Sequence, residues 1–141
     1  TLPTLEVVMT GFRRTILMVA LAVAALGIAG ARASEPCLND ASDTQRVTGA
    51  LSIERVKDGL GRFEWPYLLT LATPVCLTTE DPADRVDGTR SIHIFAADQT
   101  IATQFSRYVG AFIVVRGRPF SAHTPHHHAP IVMEIAEIGT Q

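Results

Sequence analysis

A chain of 141 residues that is 47% hydrophobic and carries two cysteines suits one domain of ordinary size and leaves no room for several. With 12 basic against 14 acidic residues, it lacks the excess positive charge on which non-specific nucleic-acid binding depends. Nucleic acid is therefore not an expected partner.

The first part of the chain reads as a targeting signal. Met9 lies a few residues in, which predicts a natural start there and an upstream extension over residues 1–8. From Met9 the text is MTGFRRTILMVALAVAALGIAGARASEPC, with a basic pair at Arg13 and Arg14, an apolar run over residues 16–29 and the small-x-small site Ala31-Arg32-Ala33. This pattern predicts a secretory signal peptide over residues 9–33. The apolar run falls short of the roughly 20 residues of a spanning helix, so no membrane span is expected after cleavage. No small-residue lipoprotein box directly precedes Cys37, and Phe12 fits a twin-arginine signal poorly, which favours the ordinary secretory route.

Cleavage after Ala33 leaves residues 34–141 as one periplasmic or secreted domain, with nine basic and thirteen acidic residues and a formal charge of −4. Both cysteines, Cys37 and Cys76, lie in this part. In an oxidising compartment they predict one disulfide, tying the mature N-terminus to the end of a strand.

VTGALSI places Val47, Leu51 and Ile53 on one face and Thr48 and Ser52 on the other, the period-two signature of a first strand. KDGLGRFEWP follows as a loop. YLLTLATPVCL is a second strand over residues 67–77, with Pro74 marking an edge or a bend. TTEDPADRVDGT is a polar, turn-rich excursion, and SIHIFA a short third strand with Ile92 and Ile94 inward and His93 outward. In DQTIATQFSRYVG, Asp98 is an N-cap, Ile101, Phe105 and Tyr108 form one face of a helix, and Gly110 is its C-cap. AFIVVRGRPF and HAPIVMEIAEI are strands four and five, the latter with Ile131, Met133 and Ile135 on one side.

Three strands, a helix and two strands make an all-β domain with one helix, in the element order of a five-stranded OB-like barrel. An SH3-like barrel is the competing architecture, but it gives no reason for a helix at that place. The segments VTGALSIE, PYLLTLATPVCL and YVGAFIVVRGRPFSAHTPHHHAPIVM resemble a family of small exported bacterial domains of unknown function, number 4431. The resemblance runs over most of residues 37–133 and is most specific over residues 117–133. It implies an OB-like fold and export, and brings no activity with it.

An OB-type fold binds ligands on strands two and three, between the loop after strand one and the loop joining strands four and five. Those loops are KDGLGRFEWP and SAHTPHHHAP. They hold the only Trp and four of the five His, so Arg62, Phe63 and Trp65, with His93 beside them, are the candidate ligand-binding residues. The ligand would be a protein, a glycan or a small molecule of the cell envelope. For Phe63 and Trp65 a barrel-end plug is the plain alternative, and His93 alone is most simply a satisfied surface residue.

His123, His126, His127 and His128 are the candidate metal ligands, since imidazole suits zinc and copper. Strand-like alternation puts His126 and His128 on one side and His127 on the other, and His123 could meet His128 across the turn. A solvated polar turn explains the same residues without any ion. Glu134 is the nearest carboxylate in sequence and at most supports such a site from behind. The chain has no glycine-flanked serine, no phosphate-cradling glycine loop and no His-Glu helix motif. The expectation is thus a non-enzymatic exported binding module, with a metal-binding protein second and a zinc-water enzyme third.

Overall fold

The computed structural model describes residues 36–141. The expected upstream extension and signal peptide lie outside the described residues. The chain runs β1 (Cys37–Asn39), β2 (Gln45–Ile53), β3 (Val56–Lys57), β4 (Phe63–Glu64), β5 (Tyr67–Thr78), β6 (Val86–Phe95), α1 (Gln99–Ala102), α2 (Phe105–Tyr108), β7 (Phe112–Ser121) and β8 (Ile131–Thr140). A 3₁₀ turn at Pro82–Asp84 separates β5 from β6.

Strands pair in the order β1-β5-β2-β7-β8-β6, and β5 also pairs with β6. The five long strands therefore form a ring within one sheet. Pairing around the ring is antiparallel except between β6 and β8, and β1 pairs in parallel with the last residues of β5, adding Leu38 to the core. The period-two pattern read from the sequence fills the ring's interior, with Leu51 opposite Leu69, Ile92 opposite Ile131 and Ile94 opposite Met133, all buried. Phe105 joins this core from α2 and meets Tyr67 edge-on at 5.2 Å.

Four local expectations are revised. Ile53 is 43% exposed, because the hairpin carries it beyond the ring. Both ends of the polar excursion are strand: β5 runs to Thr78, Val75 pairs with Thr89 and Leu77 with Val86, so strand three begins at Val86. Strand five begins at Ile131 rather than His128.

The fourth revision concerns the helix, which is broken into two single turns. Asp98 caps the first as expected, its side chain accepting from the Thr100 amide at 2.7 Å. The Thr103 hydroxyl and the Gln104 side-chain amide then both donate to the Thr100 carbonyl, and the Gln104 amide turns to Ile101 instead. Side chains thus compete with the backbone for the helix's own acceptor. Gly110 takes the expected left-handed conformation at φ 86°, and its amide donates to the Leu51 carbonyl at 2.8 Å, docking the turn on β2.

Pro74 falls in the register shift between Thr70 and Val75, where a missing N–H costs the ladder nothing. The expected disulfide joins Cys37 to Cys76, which are register partners on β1 and β5.

Candidate functional site

The β2–β5 hairpin does not end at the ring. Ile53 pairs with Tyr67, the Glu54 amide donates to the Pro66 carbonyl, Val56 pairs with Glu64 and Lys57 with Phe63, all in one unbroken register. The presumed loop after strand one is therefore a two-stranded ribbon. Its turn is built on Asp58, whose carboxylate accepts from the Leu60 and Arg62 amides and from Arg62 Nε, each at 2.8 Å. Gly61 completes the turn at φ 79°. The Asp58 side chain is only 1% exposed. Burial opposes its ionisation, yet the hydrogen bonds from Arg62 and Leu60 outweigh it and hold the carboxyl below its ordinary range.

On the outer face of the ring, Leu68, His93, Val132 and Phe120 lie side by side across β5, β6, β8 and β7. The His-rich loop folds over this row. The Ala122 amide donates to the Pro130 carbonyl and closes its base, and the His128 amide donates to His93 Nδ1 at 3.3 Å. His93 Nδ1 is thus an acceptor, so a neutral His93 carries its proton on Nε2.

The loop sorts its histidines to two sides. His123 and His127 stay together: the His123 amide donates to His127 Nδ1 at 3.1 Å, and both rings lie 5.5 Å from Phe120. His126 and His128 turn to the ribbon. Nδ1 of His126 meets one oxygen of Glu64 and Nε2 of His128 meets the other. The expected alternation, His126 and His128 on one side and His127 on the other, is what is found, whereas His123 partners His127 rather than His128.

Glu64 is therefore the residue that joins the two loops, and the sequence reading missed it. It lies on the ribbon face opposite Phe63, and the alternation in Phe63-Glu64-Trp65 was the available signal. Its carboxyl is held below the ordinary range first by the hydrogen bond from His128, against the opposing effect of burial, and further by His126. Asp58, Glu64 and His126 each offer one ligand atom, mutually within 4.8 Å. A zinc or copper ion bonded at about 2 Å brings such atoms to about 3.4 Å apart, a closure within reach of small side-chain rotations. Asp58 Oδ2 accepts one bond, so a lone pair remains for an ion. His128 is placed to orient Glu64 from its far oxygen.

His93 lies under the loop, 5.7 Å from the His128 ring and 6.3 Å from His127. Burial first, then the neighbouring imidazoles of His128 and His127, depress its pKa from 6.5 to about 4. His127 is depressed too, chiefly by burial and then by His123.

Of the other candidates, Arg62 borders this cluster and braces Asp58, and the rest lie elsewhere. Phe63 lies beneath the Arg55 guanidinium at 3.5 Å, and Trp65 is 58% exposed; both occupy the ribbon face turned away from the histidines. Glu134 is exposed on β8 opposite Arg118, and lines a cleft with Asp98 and Arg118.

Residues 91–139 match a family described as a domain of unknown function (DUF4431). That stretch carries His93, the helical turns and the whole His-rich loop, and it bears out the resemblance read from the sequence over the part where it is most specific. It stops short of the ribbon that holds Asp58 and Glu64. No curated protein matches the chain.

Proposed function

We propose that this is an exported, non-enzymatic binding module with an OB-like barrel, and that its ligand is a transition-metal ion, zinc or copper, held where the ribbon meets the His-rich loop. The observation that carries this reading is Glu64, which draws His126 and His128 to one carboxylate from the far side of the site. His126 with Glu64 and Asp58 supplies the ligand atoms, and His128 fixes the orientation of Glu64. The strand order supports the barrel: numbering β2, β5, β6, β7 and β8 one to five, the ring runs 1-2-3-5-4 and the helical turns fall between three and four. The disulfide of Cys37 and Cys76 supports an oxidising compartment.

The expected OB face on strands two and three is covered by the protein's own His-rich loop, so a small ion fits this site better than a chain-like ligand. Calorimetric titration of tag-free protein with zinc and with copper tests the proposal. Saturation at 100 times the dissociation constant raises stability by about 2.7 kcal/mol, read as a higher melting temperature. Glu64→Gln combined with His126→Ala abolishes the heat and the shift, while His123→Ala keeps both. No heat with either metal, or a site that survives the double substitution, refutes the assignment.

A further inference from the structure

The ribbon has a second face, and the metal site does not use it. Register places Arg55 opposite Trp65 and next to the Lys57–Phe63 pair, all on the side turned from Glu64. The chain exposes four large apolar groups along this arm: Ile53 at 43%, Phe63 at 43%, Trp65 at 58% and, at the tip, Leu60 at 79%. The Arg55 guanidinium lies flat over Phe63 at 3.5 Å and Lys57 Nζ is 5.2 Å from the same ring. A guanidinium stacked this way keeps its N–H edge free for an anion.

Among the described residues no carboxylate shares that face. Glu54 and Glu64 alternate to the other side, and Asp58 is folded into the turn with its charge answered by Arg62. A cationic, apolar strip on a domain of formal charge −4 points to an anionic occupant. The shape decides its kind. A two-stranded arm with a leucine at its apex is convex, whereas peptides and small ligands are taken by grooves and clefts. Exposed Leu and Ile have nothing to offer a sugar or a phosphate, but they enter the hydrocarbon boundary of a bilayer, where Trp sits at headgroup depth and Arg and Lys meet anionic headgroups.

We propose that the outward face of the ribbon, with Leu60 at its tip and Phe63, Trp65, Arg55 and Lys57 behind it, docks on the surface of an anionic lipid bilayer. The contact is interfacial; among the described residues no helix is long and apolar enough to cross a membrane. It rests on different residues from the metal site and stands or falls separately.

Trp65 is the only tryptophan in the chain, so its fluorescence reports this face and no other. The apolar segment over residues 16–29 can bring the full chain to a vesicle by itself, but it cannot move the emission of Trp65 into lipid unless the ribbon inserts. Vesicles of phosphatidylcholine with one quarter phosphatidylglycerol, at low salt, are expected to shift the emission to the blue, and brominated acyl chains to quench it. Loss of one cation weakens surface partition about fivefold, so the charge reversal Lys57→Glu weakens it by more than that. Leu60→Asp, at a side chain that is 79% exposed and lies outside the core, abolishes the shift. Emission unmoved by anionic vesicles overturns the proposal, as does an equal shift with pure phosphatidylcholine. A shift produced by soluble polyglutamate in place of vesicles assigns the face to an acidic protein and overturns it too.

Discussion

Acidification tests the buried side of the His-rich loop, and His93 sets the size of the effect. Its pKa falls from 6.5 to about 4 on folding, through burial and through the imidazoles of His128 and His127, with Glu64 pulling the other way. The unfolded chain then binds this proton more readily than the native one, so native stability falls as pH drops through 6.5 and levels off only below about 4. By pH 5 a fully shielded ring would cost about 2 kcal/mol. Solvent screens a half-buried ring, which leaves about 1 kcal/mol. Urea unfolding in the presence of a chelator, at steps from pH 7.5 to pH 4.5, measures the slope, and His93→Gln isolates it because glutamine keeps an acceptor for the His128 amide while removing the titration. Wild type is expected to lose about 1 kcal/mol more than His93→Gln between pH 7 and pH 5. Parallel pH profiles for the two proteins refute the depressed pKa and the packing that causes it.

The fold was legible where one physical pattern acted alone. Alternation gave the inward residues of the ring, Leu51, Ile92, Ile94, Ile131, Met133 and Ile135, because one face of each strand is buried. It misplaced Ile53, since alternation says which face a residue takes and not where the ring ends. The helix was misjudged for another reason. Its apolar spacing and its N-cap hold, and Gly110 is left-handed as expected but gives its amide to Leu51 rather than to the helix; Thr103 and Gln104 reclaim the Thr100 carbonyl, a competition that spacing does not register. Val86 to Thr89 reads as loop because Val86 is the segment's one apolar residue turned to the core, and a single residue shows no alternation.

The site was legible in its histidines and not in its carboxylates. Four histidines within six residues announce themselves, and His126 and His128 do lie opposite His127, although a turn closed by the His127 amide on the Thr124 carbonyl, not strand geometry, sets them there. What joins them is Glu64, more than sixty residues away in sequence, and no local pattern marks a contact that depends on the ribbon's register. The same register separates Phe63 and Trp65 from the histidines, although sequence had gathered all of them around one groove. Glu134, chosen for nearness along the chain, lost to a residue near in space.

Further outcomes follow from particular contacts. Cys37→Ser with Cys76→Ser opens a loop with a sequence separation of 39 and is expected to lower stability by about 4 kcal/mol in denaturant unfolding, by the chain-entropy relation; a loss under about 1 kcal/mol refutes that account of β1. At Gly117 a Cβ would stand 1.9 Å from the Glu134 carbonyl oxygen, so Gly117→Ala forces β7 from β8 at their register shift and is expected to cost about 3 kcal/mol; a melting temperature like that of wild type would show that this close approach is not held. The last concerns the latch between ribbon and loop. Glu64 accepts from His126 and His128 through separate oxygens, whereas in Glu64→Gln one oxygen becomes an NH₂ that cannot accept, so one imidazole must change tautomer to accept from it and both lose the bond to a charged carboxylate. The loop should then open more often: amide exchange over residues 122–130 is expected to quicken by about tenfold, while Ile92 and Met133 in the ring are unchanged. Because these histidines hold the Glu64 carboxyl below 4.5, the latch is intact above that pH and is lost in wild type as pH falls through the lowered value, after which wild type should exchange like the variant. Equal exchange of the loop amides in both proteins at pH 7 would mean that Glu64 does not hold the loop, and the proposed metal site would lose the feature that assembles it.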